Sequence, residues 1–210
     1  MQSLAQSQAA SVGHKMSKTY KLRKAGLRLS EAEARVTRAA APKAGSGIAK
    51  VVATVGKAGD QPELRTLSGI VIAMGLLRAD RRMLRAGIRM ILAHELATLA
   101  KDLVKVRFDR TRPHSAKSRR EQVVKPGKHT AKVKTSFPSG HSAGSIAVAR
   151  AFGREYPELE APALAAAALV GGLQVPRLAH YPTDVAAGMV VGAIAEAATN
   201  LVFSAEDDGG

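Results

Sequence analysis

Three short polar strings interrupt a chain otherwise rich in Ala, Leu and Val: KVRFDRTRP from Lys105 to Pro113, FPSGH from Phe137 to His141, and RLAHYPTD from Arg177 to Asp184. Together they supply two cations with six residues between them, a glycine-bearing turn, two histidines, and a carboxylate four residues after the second histidine. Transfer of a phosphoryl group draws on that set: fixed positive charge for the oxygens, a nucleophile, and an acid for the leaving group.

Each residue has its own physical reason. Lys105 and Arg112 can pair with phosphate oxygens, Arg112 bidentately, through charge-assisted bonds of roughly 1.5 to 3 kcal/mol each. Pro113 restricts Arg112 to extended or turn geometry, which ends a helix carrying Lys105 and sets where the guanidinium points. Ser139 and Gly140 precede a helix expected to begin near His141, so their backbone N–H groups and the positive helix end are expected to face a bound anion. His180 and Asp184 flank another helix start, with Pro182 suited to its first turn, and a carboxylate at that spacing can hold the second imidazole nitrogen.

The elements that must carry these groups read as helices. Apolar stretches run over Ile48–Val55 and Thr66–Leu77, and Ile88–Val106 repeats Ile91, Leu92, Leu96, Leu99 and Leu103 at helical spacing, delivering Lys105 at its end. Ser142–Phe152, Pro162–Val175 and Val185–Phe203 are three more helices, rich in the small residues that permit close packing. Thr111–Thr135 is polar, basic and without period, a long loop joining two of the strings. No strand-period alternation competes, so the expected fold is all-α.

The chain has 210 residues and no cysteine, which removes disulfides, thiolate metal sites and cysteine nucleophiles. A formal net charge of +15 favours polyanionic neighbours, while 3% aromatic residues and no Trp argue against stacking of single-stranded bases. The first residues show no apolar core behind a basic start, which disfavours a soluble exported enzyme. Residues 1–44 read as a flexible basic arm, within which Ser30 to Ala41 fits a short helix capped by Ser30, with Glu31 and Glu33 in its first turn. Residues 204–210 read as a disordered tail. Val185–Phe203 comes closest to a membrane span, interrupted by Glu196 and Asn200.

Taken singly, each string has an ordinary explanation: a solvated basic loop for Lys105 and Arg112, an N-cap for Ser139, a helix-surface pair for His180 and Asp184. Their order and spacing together are far harder to obtain by accident. Lys105 with Arg112-Pro113, then Pro138-Ser139-Gly140-His141, then His180 with Asp184, resembles the type 2 phosphatidic acid phosphatase and vanadium haloperoxidase superfamily, over residues 45–203. The resemblance implies a bundle of about five to six helices with the active site at one end. It also implies a phosphohistidine on His180, Asp184 as its orienting partner, His141 as the acid for the leaving oxygen, and phosphate held by Lys105, Arg112, Ser139 and Gly140. One departure stands out: the family's Arg six residues before the nucleophilic histidine is Gln174 here. Arg177, three residues before His180, is the candidate substitute.

The implied activity is metal- and cofactor-independent hydrolysis of a phosphate monoester or diphosphate, of phosphatidic acid or polyprenyl diphosphate type, at a membrane. The expected location is the bacterial inner membrane, integral or peripheral; the alternative is a cytoplasmic phosphatase acting on small phosphoesters. Scattered histidines and carboxylates offer no close ligand set for a metal. In a spanning chain, the Arg-rich stretch Arg78–Arg89 would lie on the cytoplasmic side and the motif loop opposite, although that loop is itself basic. A vanadate-dependent haloperoxidase and a basic binding module rank lower, and no specific nucleic-acid partner is expected.

Overall fold

The computed structural model describes residues 24–207. Seven helices occupy them: α1 over residues 24–40, α2 Gly47–Lys57, α3 Gln61–Leu77, α4 Arg81–Lys105, α5 Gly140–Glu155, α6 Glu160–Gly172 and α7 Pro182–Asp207. Six of these answer the six apolar stretches of the sequence. Pro62 sits in the first turn of α3 and Pro182 opens α7, where a missing N–H costs nothing. Asp80 caps α4 by accepting from Met83 N at 3.0 Å, and Ser46 caps α2 by accepting from Ala49 N at 3.1 Å.

At the centre lies α5, ten of whose residues are buried against α3, α4, α6 and α7. The core is built from small side chains: Ala93, Ala97, Ala143, Ala147, Ala151 and Ala195 surround Leu64, Met90 and Val148. Such a core brings helices close enough for backbone contact. On α7, a Cβ at Gly188 would stand 2.3 Å from Ser139 O, and one at Gly192 would stand 2.2 Å from Ala143 O. Both positions require glycine because α5 and α7 cross there at main-chain distance.

The polar residues that interrupt α7 face inward. Glu196 is buried and accepts from Arg150 Nε at 2.9 Å and Arg154 Nε at 2.8 Å, while Asn200 accepts from Arg89 Nη1 at 2.8 Å. Pro182–Ser204 is, among the described residues, the one helix long and apolar enough to cross a membrane, with a mean hydropathy of 1.6.

Two expectations change. Part of the supposed flexible arm is a packed helix: α1 buries Ser30, Glu33, Ala34 and Thr37 along one face. It starts before Ser30, so Ser30 is an interior residue and Glu33 lies outside the first turn; the earlier part of the arm, residues 1–23, lies outside the described residues. At the other end, α7 runs on through Asp207, so residues 204–207 are helical where a disordered tail was expected, and residues 208–210 lie outside the described residues.

Candidate active site

The 34 residues between α4 and α5 decide the geometry of the site. They fold back on themselves, pairing β1 (Phe108–Asp109) with β2 (Lys125–Pro126) and then laying Arg110–Arg112 beside residues 133–136. Arg110 N donates to Lys134 O at 2.9 Å, Arg112 N to Val133 O at 2.9 Å, and Ser136 N to Arg110 O at 2.9 Å. Asp109 fastens the turn by accepting from the His129 backbone N at 3.0 Å and from its ring. The loop thereby brings the end of α4 against the start of α5, and the peptide bond between Phe137 and Pro138 in that approach is cis.

A cavity of about 410 Å³ results, lined by Lys105, Arg112, Gly140, His141 and His180 together with Asp60, Glu63, Lys101 and Lys132. The His141 and His180 rings face each other edge to face with centroids 6.1 Å apart. Lys105 Nζ donates to Thr135 O at 2.8 Å, and Arg112 Nε to Lys132 O at 2.9 Å. The Nη groups of Arg112 make no hydrogen bond among the described residues, which leaves its bidentate face open toward the cavity. Burial, reinforced by the neighbouring charges of Arg112 and Lys101, pushes the Lys105 ammonium down to about 8.

His180 is 1% exposed. Burial lowers its pKa from the ordinary histidine value, with Arg112 and Lys105 adding to burial and Asp184 opposing it, so the ring is neutral and its lone pair available near pH 7. Its Nδ1 stands 3.8 Å from Asp184 Oδ2 and 3.5 Å from Ser136 Oγ, and Ser136 Oγ donates to that same carboxylate oxygen at 2.6 Å. Ser136 thus bridges the pair, a contact the sequence does not signal because the residue lies just outside the FPSGH string. Tyr181 N completes Oδ2 at 2.9 Å, and Arg110 Nη1 donates to Oδ1 at 2.6 Å.

His141 Nε2 contacts Asp60 Oδ1 at 2.5 Å. Asp60 occupies the N-cap position of α3, yet its carboxylate makes no capping bond and turns to the histidine instead. Burial pushes His141 down to about 4; Asp60 works against that, while His180 and Arg177 add to it. A bound phosphate would bring further negative charge to the ring and favour the imidazolium.

The remaining site residues are placed as follows. Gly140 lines the cavity at the first turn of α5, but the Ser139 N–H donates to Asp184 O at 2.9 Å and is therefore not offered to an anion. The Ser139 hydroxyl is spent on the helix, accepting from Ser142 N at 3.3 Å and Ser142 Oγ at 2.9 Å. Arg177 does not line the cavity: Nη1 donates to Gln174 Oε1 at 3.0 Å and the side chain packs on Gly56. Gln174 in turn is fully buried, its Nε2 donating to Gly56 O at 2.9 Å and Val170 O at 3.0 Å. The position of the family arginine here ties α2 to the end of α6. Among the described residues no group of three or more His, Asp or Glu side chains is arranged to hold a metal.

The sequence profile of the PAP2 superfamily matches residues 86–207, more than half of the chain. The chain belongs to the PAP2 superfamily. Over 69 residues it is 41% identical to the lipid A 1-phosphatase of Rhizobium johnstonii, a match that takes in 33% of this chain and 28% of that protein. Its fold resembles the transmembrane PAP2-type phosphatidylglycerolphosphate phosphatase of Bacillus subtilis, with a TM-score of 0.63 at 22% identity over 84% of this chain and 87% of that one. It also resembles LpxE of Aquifex aeolicus, with a TM-score of 0.59 at 19% identity over 79% of this chain and 92% of that one. The profile begins within α4, so α1, α2 and α3 lie outside it.

Proposed function

We propose that this PAP2 protein hydrolyses a phosphate monoester or diphosphate carried by a lipid, through a phosphohistidine on His180. The observation that carries the reading is the pair of facing imidazoles across a cavity that also holds Lys105, Arg112 and Gly140. In the first half-reaction His180 Nε2 forms the N–P bond as the P–O ester bond breaks, and the departing oxygen keeps the electron pair and takes a proton from the His141 imidazolium. In the second, water attacks phosphorus as the P–N bond breaks, and His141 takes the water's proton. Lys105 and Arg112 neutralise the phosphoryl oxygens throughout, which is where a phosphoryl transition state most needs help. Asp184 keeps the His180 ring oriented, with Ser136 between them.

A lipid substrate is supported by a second, apolar cavity of about 350 Å³ between α3, α5 and α6, lined by Leu64, Leu67, Val71, Phe152, Ala167 and Val170 among others. Gly59, which lines the phosphate cavity, separates the two: a Cβ there would stand 2.6 Å from Val170 and 3.3 Å from His141. A membrane setting, the bacterial inner membrane with integral or peripheral attachment, draws on α7 and on the exposed Leu92, Leu99, Leu103, Val190, Ile194 and Leu201. Arg81 and Lys105 mark opposite ends of α4, about 36 Å apart at ~1.5 Å per residue, so the Arg-rich stretch and the phosphate cavity lie at opposite ends of that helix. The site residues committed to phosphate are Lys105, Arg112 and Gly140, and Arg177 is left as a candidate for longer-range charge.

Phosphate release from lipid and soluble phosphates tests this in the presence of a chelator, with wild type beside His180→Ala. Loss of at least ~10⁴-fold is expected in the variant, as for removal of a covalent nucleophile. Equal rates, or a rate abolished by the chelator, would remove the reading. Sedimentation of the native chain with vesicles separates membrane attachment from the cytoplasmic alternative.

A further inference from the structure

We propose that α1 is a working part of the catalytic apparatus, with Glu33 and Arg110 as positioning residues that fix the Asp184 carboxylate behind His180. The inference rests on the role given to Asp184 above, and concerns a helix that the superfamily profile does not reach.

The contacts run in one unbroken line. Glu33 Oε2 accepts from Arg110 Nη2 at 2.7 Å, and Arg110 Nη1 donates to Asp184 Oδ1 at 2.6 Å. Glu33 Oε1 accepts from Thr183 N at 2.8 Å, in the first turn of α7, and Arg110 Nη1 also reaches Thr183 Oγ1 at 2.8 Å. Arg110 Nε donates to Gln122 O at 2.7 Å, and the guanidinium lies 3.9 Å over the Tyr181 ring. Glu33, Arg110 and Asp184 are 6%, 1% and 0% exposed, so the line is shielded from water along its length.

The charges explain why a third member is needed. A buried arginine facing one carboxylate satisfies one edge of its fork and leaves the other edge without a partner. Glu33 takes the second edge, and with its other oxygen holds the N–H at the start of the helix that carries Asp184. The guanidinium, clamped from both sides and from above, has one place to stand, and Asp184 Oδ1 is held with it. The α1 face that docks is mostly small or polar, Ser30, Ala34 and Thr37 beside Glu33, so the carboxylate is the strongest tie between this helix and the site.

Glu33 touches no cavity-lining residue of the phosphate grip, and this makes the proposal testable. In the full chain, assayed with an aryl phosphate, Glu33→Gln is expected to lower kcat about ten- to a hundredfold, the scale for loss of an outer partner or a shift of about 1 Å at a reacting group, with KM within about twofold. Glu33→Asp should recover part of kcat. Glu31→Gln, which removes the exposed α1 contact to Arg119 at 2.9 Å, should leave kcat within about twofold of wild type on the scale of a surface pair. The proposal is overturned if Glu33→Gln keeps wild-type kcat, if its loss lies in KM, or if Glu31→Gln costs as much, since α1 would then be scaffolding alone. Should Glu33→Gln not fold, Arg110→Lys carries the same test: it keeps the charge but cannot reach both carboxylates, and an unchanged kcat overturns the proposal. Wild type without phosphatase activity, or unaffected by His180→Ala, would instead sink the reading of the site itself.

Discussion

The first turn and the middle of α7 each bury a carboxylate against arginine, and the two do different work. Midway along the helix, Glu196 spends both oxygens on Arg150 and Arg154 of α5, and none of the three lines the phosphate cavity or the apolar cavity beside it. At its N-terminus, Asp184 is bound just as fully, by Arg110, Ser136 and Tyr181 N, but it stands behind a neutral histidine that opens on a cavity. A buried ion pair is therefore no mark of a site by itself. What distinguishes the end proposed as catalytic is the neighbouring set of donors and rings with bonding capacity to spare.

The contrast is tested hardest at His141. His141→Ala should cost ~10² to 10⁴ in kcat on an alkyl phosphate, where the leaving oxygen needs a proton, and much less on an activated aryl phosphate. Equal losses on the two substrates would deny it the acid's part. Lys105 gives the next largest effect. With its ammonium held at about 8, kcat/KM should lose a further factor approaching tenfold per unit as pH rises through that value, because the charge proposed to grip phosphate is lost. Lys105→Arg keeps its charge at all these pH values, so this further loss near pH 8 should vanish in that variant.

Midway along α7, Glu196→Gln should leave kcat unchanged and lower stability in denaturant by about 2 kcal/mol, since the carboxylate is buried while its arginine partners are partly exposed. A fall in kcat there would dissolve the distinction between the two carboxylates. The smallest effect is expected from Arg177→Ala, about twofold in KM, the scale of a solvent-screened charge. A tenfold rise would return Arg177 to the phosphate grip in place of the arginine that Gln174 replaces.

The six helices of the core were legible because their apolar stretches are long and punctuated by caps and prolines, and the three strings were legible because residue type and spacing coincide. Asp60, Lys132, Ser136 and Glu33 were not. Each reaches the site by a contact that the fold makes, Glu33 from 150 residues before Thr183, and nothing in its local sequence marks it. Ser139 departs from expectation for a similar reason: it caps α5, but its N–H, expected to face an anion, is taken by Asp184 O where α5 meets α7. Helical spacing would place Arg177 on the face of His180, but the chain between α6 and α7 is not helical and the left-handed turn at Leu178 (φ 56°) lies between them.

The glycines at 188 and 192 set the spacing of the two histidines by backbone thickness. His141 rides on α5 and His180 sits just ahead of α7, and these helices come to main-chain distance at Ser139 and Ala143. The gap across the cavity behaves as a caliper with a fixed opening. In the proposed reaction it would gauge one tetrahedral phosphoryl group, whatever the bulk of the molecule that carries it.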